Sequence, residues 1–222
     1  MGKIFQSVKS VFEKNQNPAR ADAMQAYMRD QFVFLGLAAP TRRVLQKDIF
    51  AQYKKYDWPQ IEDFMSECWA QDAREYKYAA MDYAALFQKK YTPDQIPFFE
   101  QIIGDQPWWD TVDMISAGLA GKTLLRYPEL VGPTAMKWIK MEPFWYPRSA
   151  VILQLFFRDQ TDFKLLKKLI LMTRDSREFF LNKAAGWALR QYSKTNHEAV
   201  SDFLSETRLH PLTVREASKY LS

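Results

Sequence analysis

Four stretches of the chain align at a constant offset of 35 residues: DAREYKYAAMDYA, QPWWDTVDMISAG, EPFWYPRSAVILQ and SREFFLNKAAGWALR. The alignment makes Tyr78, Asp113, Arg148 and Lys183 equivalent. An aromatic or acidic cluster precedes each of them, and a run of small and apolar residues follows. The same step leads back to Arg43 in PTRRVLQK, and a step three residues shorter leads on to Arg215 in TVREASKY. A repeat of this length, in a chain whose apolar residues recur at helical spacing, predicts stacked helix pairs that each bury a face on the next. The expected fold is all-α: a HEAT-like helical-repeat solenoid, an α-α superhelix with one layer of helices lining a concave groove. X-Pro pairs such as Asn17-Pro18, Trp58-Pro59, Gln106-Pro107, Tyr146-Pro147 and His210-Pro211 cut the chain into segments of roughly 10 to 20 residues, an ordinary helix length. Alternating runs rich in Val, Ile and Thr are nearly absent, which argues against a sheet. With no Gly/Ser linker and no break in composition, one domain is expected over residues 1–222.

Composition narrows the classes further. The 16 Phe, 11 Tyr and 7 Trp supply more apolar surface than a disordered chain carries. Cys68 is the single cysteine, so no internal disulfide and no thiolate metal cluster is expected, and a reducing, cytoplasmic setting fits. Charges interrupt every apolar run of the first residues, so no secretory signal is read there, and Gln6 stands where a myristoylation motif wants Ser or Thr. The stretch from Phe32 to Pro40 is about half the length needed to span a bilayer, so no membrane role is expected. Nucleotide loops, zinc-protease pairs and EF-hand loops are absent, and His197 and His210 stand alone near helix ends. The 31 Lys+Arg exceed the 26 Asp+Glu by five, too little to define a partner until the positions of the charges are known.

Those positions follow from the repeat. If the equivalent residues lie on inner helices, Arg43, Tyr78, Asp113, Arg148, Lys183 and Arg215 form a row across one groove. Four cations suit a polyanion, and the carboxylate among them calls for a chemical explanation. Between Trp108 and Ala120, the positions Trp108, Val112, Ile115 and Leu119 make a core stripe. One residue round, Trp109 and Asp113 lie a turn apart on a neighbouring face, which predicts partial exposure for Trp109. Lys183, Trp187, Arg190 and Lys194 share a face of a later helix. That stripe reads equally as a nucleic-acid surface or as a solvated face with a half-buried indole. Pro147 as a first helical residue would put Arg148 in the first turn, where a guanidinium can clamp a phosphate. Asp82 and Asp110 read as capping or interhelical groups.

The segments WWDTVD, PRSAVILQ and FFLNKAAGWALRQYSKTN resemble the AlkD-type DNA alkylation repair glycosylases, a HEAT-like family. So do AYMRDQFVFLGLAAPTRR (26–43), REYKYAAMDY (74–83) and PLTVREASKY (211–220), so the resemblance covers almost the whole chain. It implies excision of positively charged N3- and N7-alkylated purines from double-stranded DNA, without metal or organic cofactor. A solenoid groove that wraps a duplex can act as a monomer, and the expected partner is damaged duplex DNA, met at the nucleoid, with no obligate protein partner. It marks Asp113, Trp109 and Trp187 as the catalytic cluster, Arg148 as a DNA-binding partner, Tyr27 as a residue near the lesion, and Arg190 and Lys194 as backbone contacts. Lys183 and Arg43 join the DNA-binding set from the cationic row. Two other readings stand beside this one: a non-catalytic relative that binds branched or distorted DNA, and a helical scaffold that binds protein. The scaffold would need apolar or acidic groove residues, where the sequence has Arg, Lys and Trp.

Overall fold

The computed structural model describes residues 2–221. All regular structure among them is helical, with no strand, as the periodicity predicts. The chain forms two compact units, Met1–Phe87 and Gln88–Ser222.

The first unit holds α1 (Lys3–Lys14), α2 (Pro18–Tyr27), α3 (Ala39–Gln52), α4 (Trp58–Trp69) and α5 (Arg74–Ala85). Prolines open three of these helices: Pro18, Pro40 and Pro59 sit at their first or second positions, where the missing N–H costs nothing. The Asn17 side chain accepts from the Arg20 N–H to cap α2. Ile4, Phe5, Val8 and Phe12 of α1 are buried at helical spacing, and Phe12 meets Tyr76 with ring centroids 5.6 Å apart. The connection from α2 to α3 is held by Glu75. Its fully buried carboxylate accepts from the N–H groups of Leu35, Gly36 and Leu37 at 2.9–3.1 Å. Gly36 adopts φ 83° there, a conformation that a side chain would strain.

In the second unit, α6 (Ile96–Gly104) is followed by α7 (Trp109–Asp113), which runs without a break into a π-helical stretch, Met114–Gly121, and then α8 (Lys122–Leu124). Next come α9 (Pro128–Trp138), α10 (Trp145–Ile152), α11 (Phe163–Thr173), α12 (Phe179–Ser193), α13 (His197–Glu206) and α14 (Pro211–Ala217). They pair as repeats do. The helix from α7 to α8 packs beside α10, α10 beside α12, and α12 beside α14, while α6, α9, α11 and α13 form the layer behind them. The repeat length appears directly in the bonding: Gln88 to Thr123, Arg126 to the Tyr91 carbonyl, and Arg148 to Asp113 are hydrogen bonds between residues 35 apart. Two glycines permit close approaches between neighbouring repeats. A Cβ on Gly121 would lie 2.3 Å from the Leu153 carbonyl oxygen, and one on Gly186 would lie 2.5 Å from the Glu216 Cβ. Both distances are impossible for packed atoms, so a side chain at either position would force its helices apart.

Candidate active site

Asp113 is the last residue of α7, at the point where the helix widens into π geometry. Such transitions are common at functional sites because they re-aim side chains without breaking the helix. The core stripe next to it is as expected: Val112, Ile115 and Leu119 are fully buried. Trp108 differs. It caps α7 and is half-buried, its ring 5.7 Å from that of Trp145 and 5.1 Å from that of Phe180. Trp109, one turn before Asp113, is half-buried as its spacing predicts.

The partner of Asp113 is Arg148. The guanidinium Nε and Nη2 donate to Asp113 Oδ1 and Oδ2 at 2.8 and 2.7 Å, a bidentate pair. Its Nη1 donates to the Phe180 carbonyl at the start of α12, so one side chain ties three successive inner helices together. Two expectations for Arg148 are corrected by this geometry. Helix α10 begins at Trp145 rather than at Pro147, and the Arg148 N–H is already bonded to the Phe144 carbonyl at 3.0 Å. The side chain is 4% exposed and directed at the carboxylate, not held open in a first helical turn. A second link runs beside the ion pair: Ser116 Oγ donates to Ser149 Oγ at 2.7 Å, and Ser149 Oγ donates to the Trp145 carbonyl at 2.8 Å. Burial pushes the Asp113 carboxyl above its ordinary range, the Arg148 bonds and charge pull it back, and Asp110 adds a smaller upward push. The net shift is upward.

The basic stripe of α12 is real as a face and different in its bonding. Lys183 and Arg190 both reach Glu216 on α14, at 2.7 and 2.8 Å, and Lys219 reaches the same carboxylate at 2.9 Å. Trp187 lies half-buried a turn beyond Lys183. Lys194 is exposed, with Nζ 3.1 Å from Gln191 Oε1 and 5.1 Å from the Tyr220 ring centroid. Glu216 was not singled out by the sequence, although its place beside Arg215 and three residues before Lys219 is a signal that could have found it. Its side chain is 4% exposed. Burial alone would raise its pKa, but the bonds and charges of Lys183 and Lys219 outweigh that and hold it down to about 2. Because the folded value lies below the ordinary one, the stabilisation is complete above roughly pH 4.5 and is lost as pH falls towards 2. With the lysines half in solvent, this is worth on the order of 2 kcal/mol. Thermal melts of Glu216→Gln and wild type should differ by that amount at neutral pH and converge only as pH falls to about 2. A constant gap would deny the linkage.

In the first unit, Arg43 is exposed, with Nε 3.9 Å from Asp82 Oδ2, and buried Arg42 donates to the same oxygen at 3.0 Å. Arg42 also lies 4.9 Å above the Tyr78 ring. Asp82 is thus an interhelical group, as read. Tyr27, at the end of α2, is 73% exposed. The structure therefore joins Asp113 to Arg148, and Lys183 to Arg190 through Glu216, within the second unit, while Tyr27 and Arg43 belong to the first. Among the described residues no group of three or more His, Cys, Asp or Glu could hold a metal ion, and no helix is long and apolar enough to cross a membrane.

A family model described as DNA alkylation repair enzyme matches residues 8–221. A solved structure described as "Predicted DNA alkylation repair enzyme from Enterococcus faecalis" is similar to the chain at 35% identity and a TM-score of 0.88, covering 93% of this chain and 97% of that one. No curated protein matches.

Proposed function

Because the chain belongs to the DNA alkylation repair enzyme family, we propose that it is a DNA glycosylase that removes cationic N3- and N7-alkylated purines from duplex DNA. The observation that supports this most is the Asp113 carboxylate, which shares α7 with half-buried Trp109 and is held bidentately by buried Arg148 of α10. An alkylated purine of this kind already carries positive charge, so it departs as a neutral base and needs no proton from an acid. The bond that breaks is the glycosidic C1′–N bond, and its electron pair leaves with the base. Positive charge then develops on the sugar. A carboxylate facing it lowers the barrier, and water adds at C1′ and gives up a proton. At about 4 Å and an effective dielectric near 20, that attraction is worth on the order of 4 kcal/mol. Indole faces such as those of Trp109 and Trp187 favour the same developing charge.

In this reading Arg148 acts through Asp113, fixing the orientation of both oxygens and favouring the ionised form. The enzyme, cofactor-free and monomeric in this reading, would contact the DNA backbone through Lys183, Arg190 and Lys194 in the second unit, while Arg43 and Tyr27 are separate proposed DNA contacts on the first. The test is direct: incubate purified protein with duplex DNA methylated at guanine N7, and measure free 7-methylguanine and abasic sites. Release in stoichiometric balance with abasic sites is expected. Tight binding to the DNA without release would replace the enzyme by a non-catalytic DNA binder.

A further inference from the structure

The exposed face of α11 combines charge and apolar surface in a way the reaction does not use. Lys164, Lys167, Lys168, Leu171, Met172 and Arg174 line one open depression of about 570 Å³ together with Asp175. Four cations there face one carboxylate, which lies 3.6 Å from Arg174. Leu171 and Met172 are 40% and 47% exposed, an unusual position for two adjacent large apolar side chains on a charged face. They are not the core stripe of the helix, since Leu165, Leu166, Leu169 and Ile170 already fill that role. Lys167 is held in place by aromatic rings, with Nζ 5.3 Å from the Phe163 centroid and 5.9 Å from that of Phe203. The helix belongs to the layer of α6, α9 and α13, whereas Asp113, Arg148 and Trp187 stand on the other layer of the same unit.

We propose that this face docks a partner protein through a short acidic segment carrying apolar side chains. Charge complementarity selects an anion, and the two uncovered apolar side chains select among anions. Along its phosphate backbone duplex DNA offers anions, but its thymine methyls lie recessed in the major groove, away from Leu171 and Met172 on a face that meets the phosphates. An anionic lipid surface would be met by only two apolar side chains, because the rest of the helix is spent in the core. From Lys164 to Arg174 the helix rises about 15 Å, the reach of about five extended residues, so a short linear segment can touch the whole patch.

The test uses the full chain and a fluorescein-labelled octapeptide of six aspartates and two leucines, with a control in which serine replaces both leucines. Anisotropy should show the leucine peptide binding about tenfold more tightly than the control, a difference of about 1.4 kcal/mol. Lys164→Glu with Lys168→Glu should abolish binding of both peptides, and Leu171→Ser with Met172→Ser should make the two peptides bind equally. All variants should melt as wild type and release 7-methylguanine at the wild-type rate. Equal affinity of wild type for the two peptides overturns the proposal, as does binding of neither. It is also overturned if duplex DNA or phosphatidylglycerol vesicles bind more tightly than the leucine peptide and lose that binding in the charge-reversed variant.

Discussion

Asp113→Asn is expected to lower the rate of 7-methylguanine release by about a thousandfold, the equivalent of roughly 4 kcal/mol of transition-state stabilisation. Asparagine keeps the shape of the side chain and one acceptor for Arg148 but removes the charge that opposes the cationic sugar. Two stability effects oppose each other in this variant. Burial raises the Asp113 pKa, so holding the ionised form that the reaction needs costs the folded chain more than the unfolded one; that contribution is best at low pH and worsens as pH rises through the raised value. The substitution removes this load, yet leaves the buried Arg148 short of a charge partner. A melting temperature close to wild type should therefore accompany the lost activity, together with unchanged affinity for undamaged duplex. If release persisted within tenfold of wild type, Asp113 would not be the group that meets the sugar.

Arg148→Met should lower release at neutral pH by about a hundredfold, as the loss of two charge-assisted hydrogen bonds worth roughly 3 kcal/mol implies. The mechanism of loss is particular. Without the guanidinium, burial acts on Asp113 unopposed and drives its pKa further up, so the variant should regain activity as pH is raised, with a profile displaced to alkaline pH relative to wild type. Arg148→Lys, which restores the charge but only part of the geometry, should fall between the two. A loss that is the same at every pH, accompanied by weaker binding to undamaged duplex, would instead assign Arg148 to the DNA phosphates. Broken buried pairs cost 3 to 5 kcal/mol in typical cases, so a melt must show that the variant is folded before its profile is read.

The helical architecture was legible because it rests on local information. Proline positions and apolar spacing are properties of short segments, and the 35-residue offset survives in the bonds from Gln88 to Thr123 and from Arg148 to Asp113. The roles of individual cations were less legible. Lys183 and Arg190 look like free charges on a helical wheel, because the wheel does not contain Glu216 from the neighbouring helix. Arg148 was misplaced for a related reason. A proline marks a helix start only when it occupies the first turn's opening positions, and α10 had begun two residues earlier, at Trp145. The π-helical stretch after Asp113 left no trace in apolar spacing, since Val112, Ile115 and Leu119 remain buried through it.

If the α12 face meets DNA as proposed, the carboxylate of Glu216 changes how it does so. Cations in solvent gather mobile anions, and releasing ions to bulk drives much of ordinary DNA binding. Lys183 and Arg190 already hold a fixed anion that cannot leave. A phosphate arriving there liberates few ions and must share its cations with Glu216, so the face gains little from dilution of the buffer. What it offers in exchange is geometry: three cations locked around one point, their side-chain freedom already spent before any strand arrives.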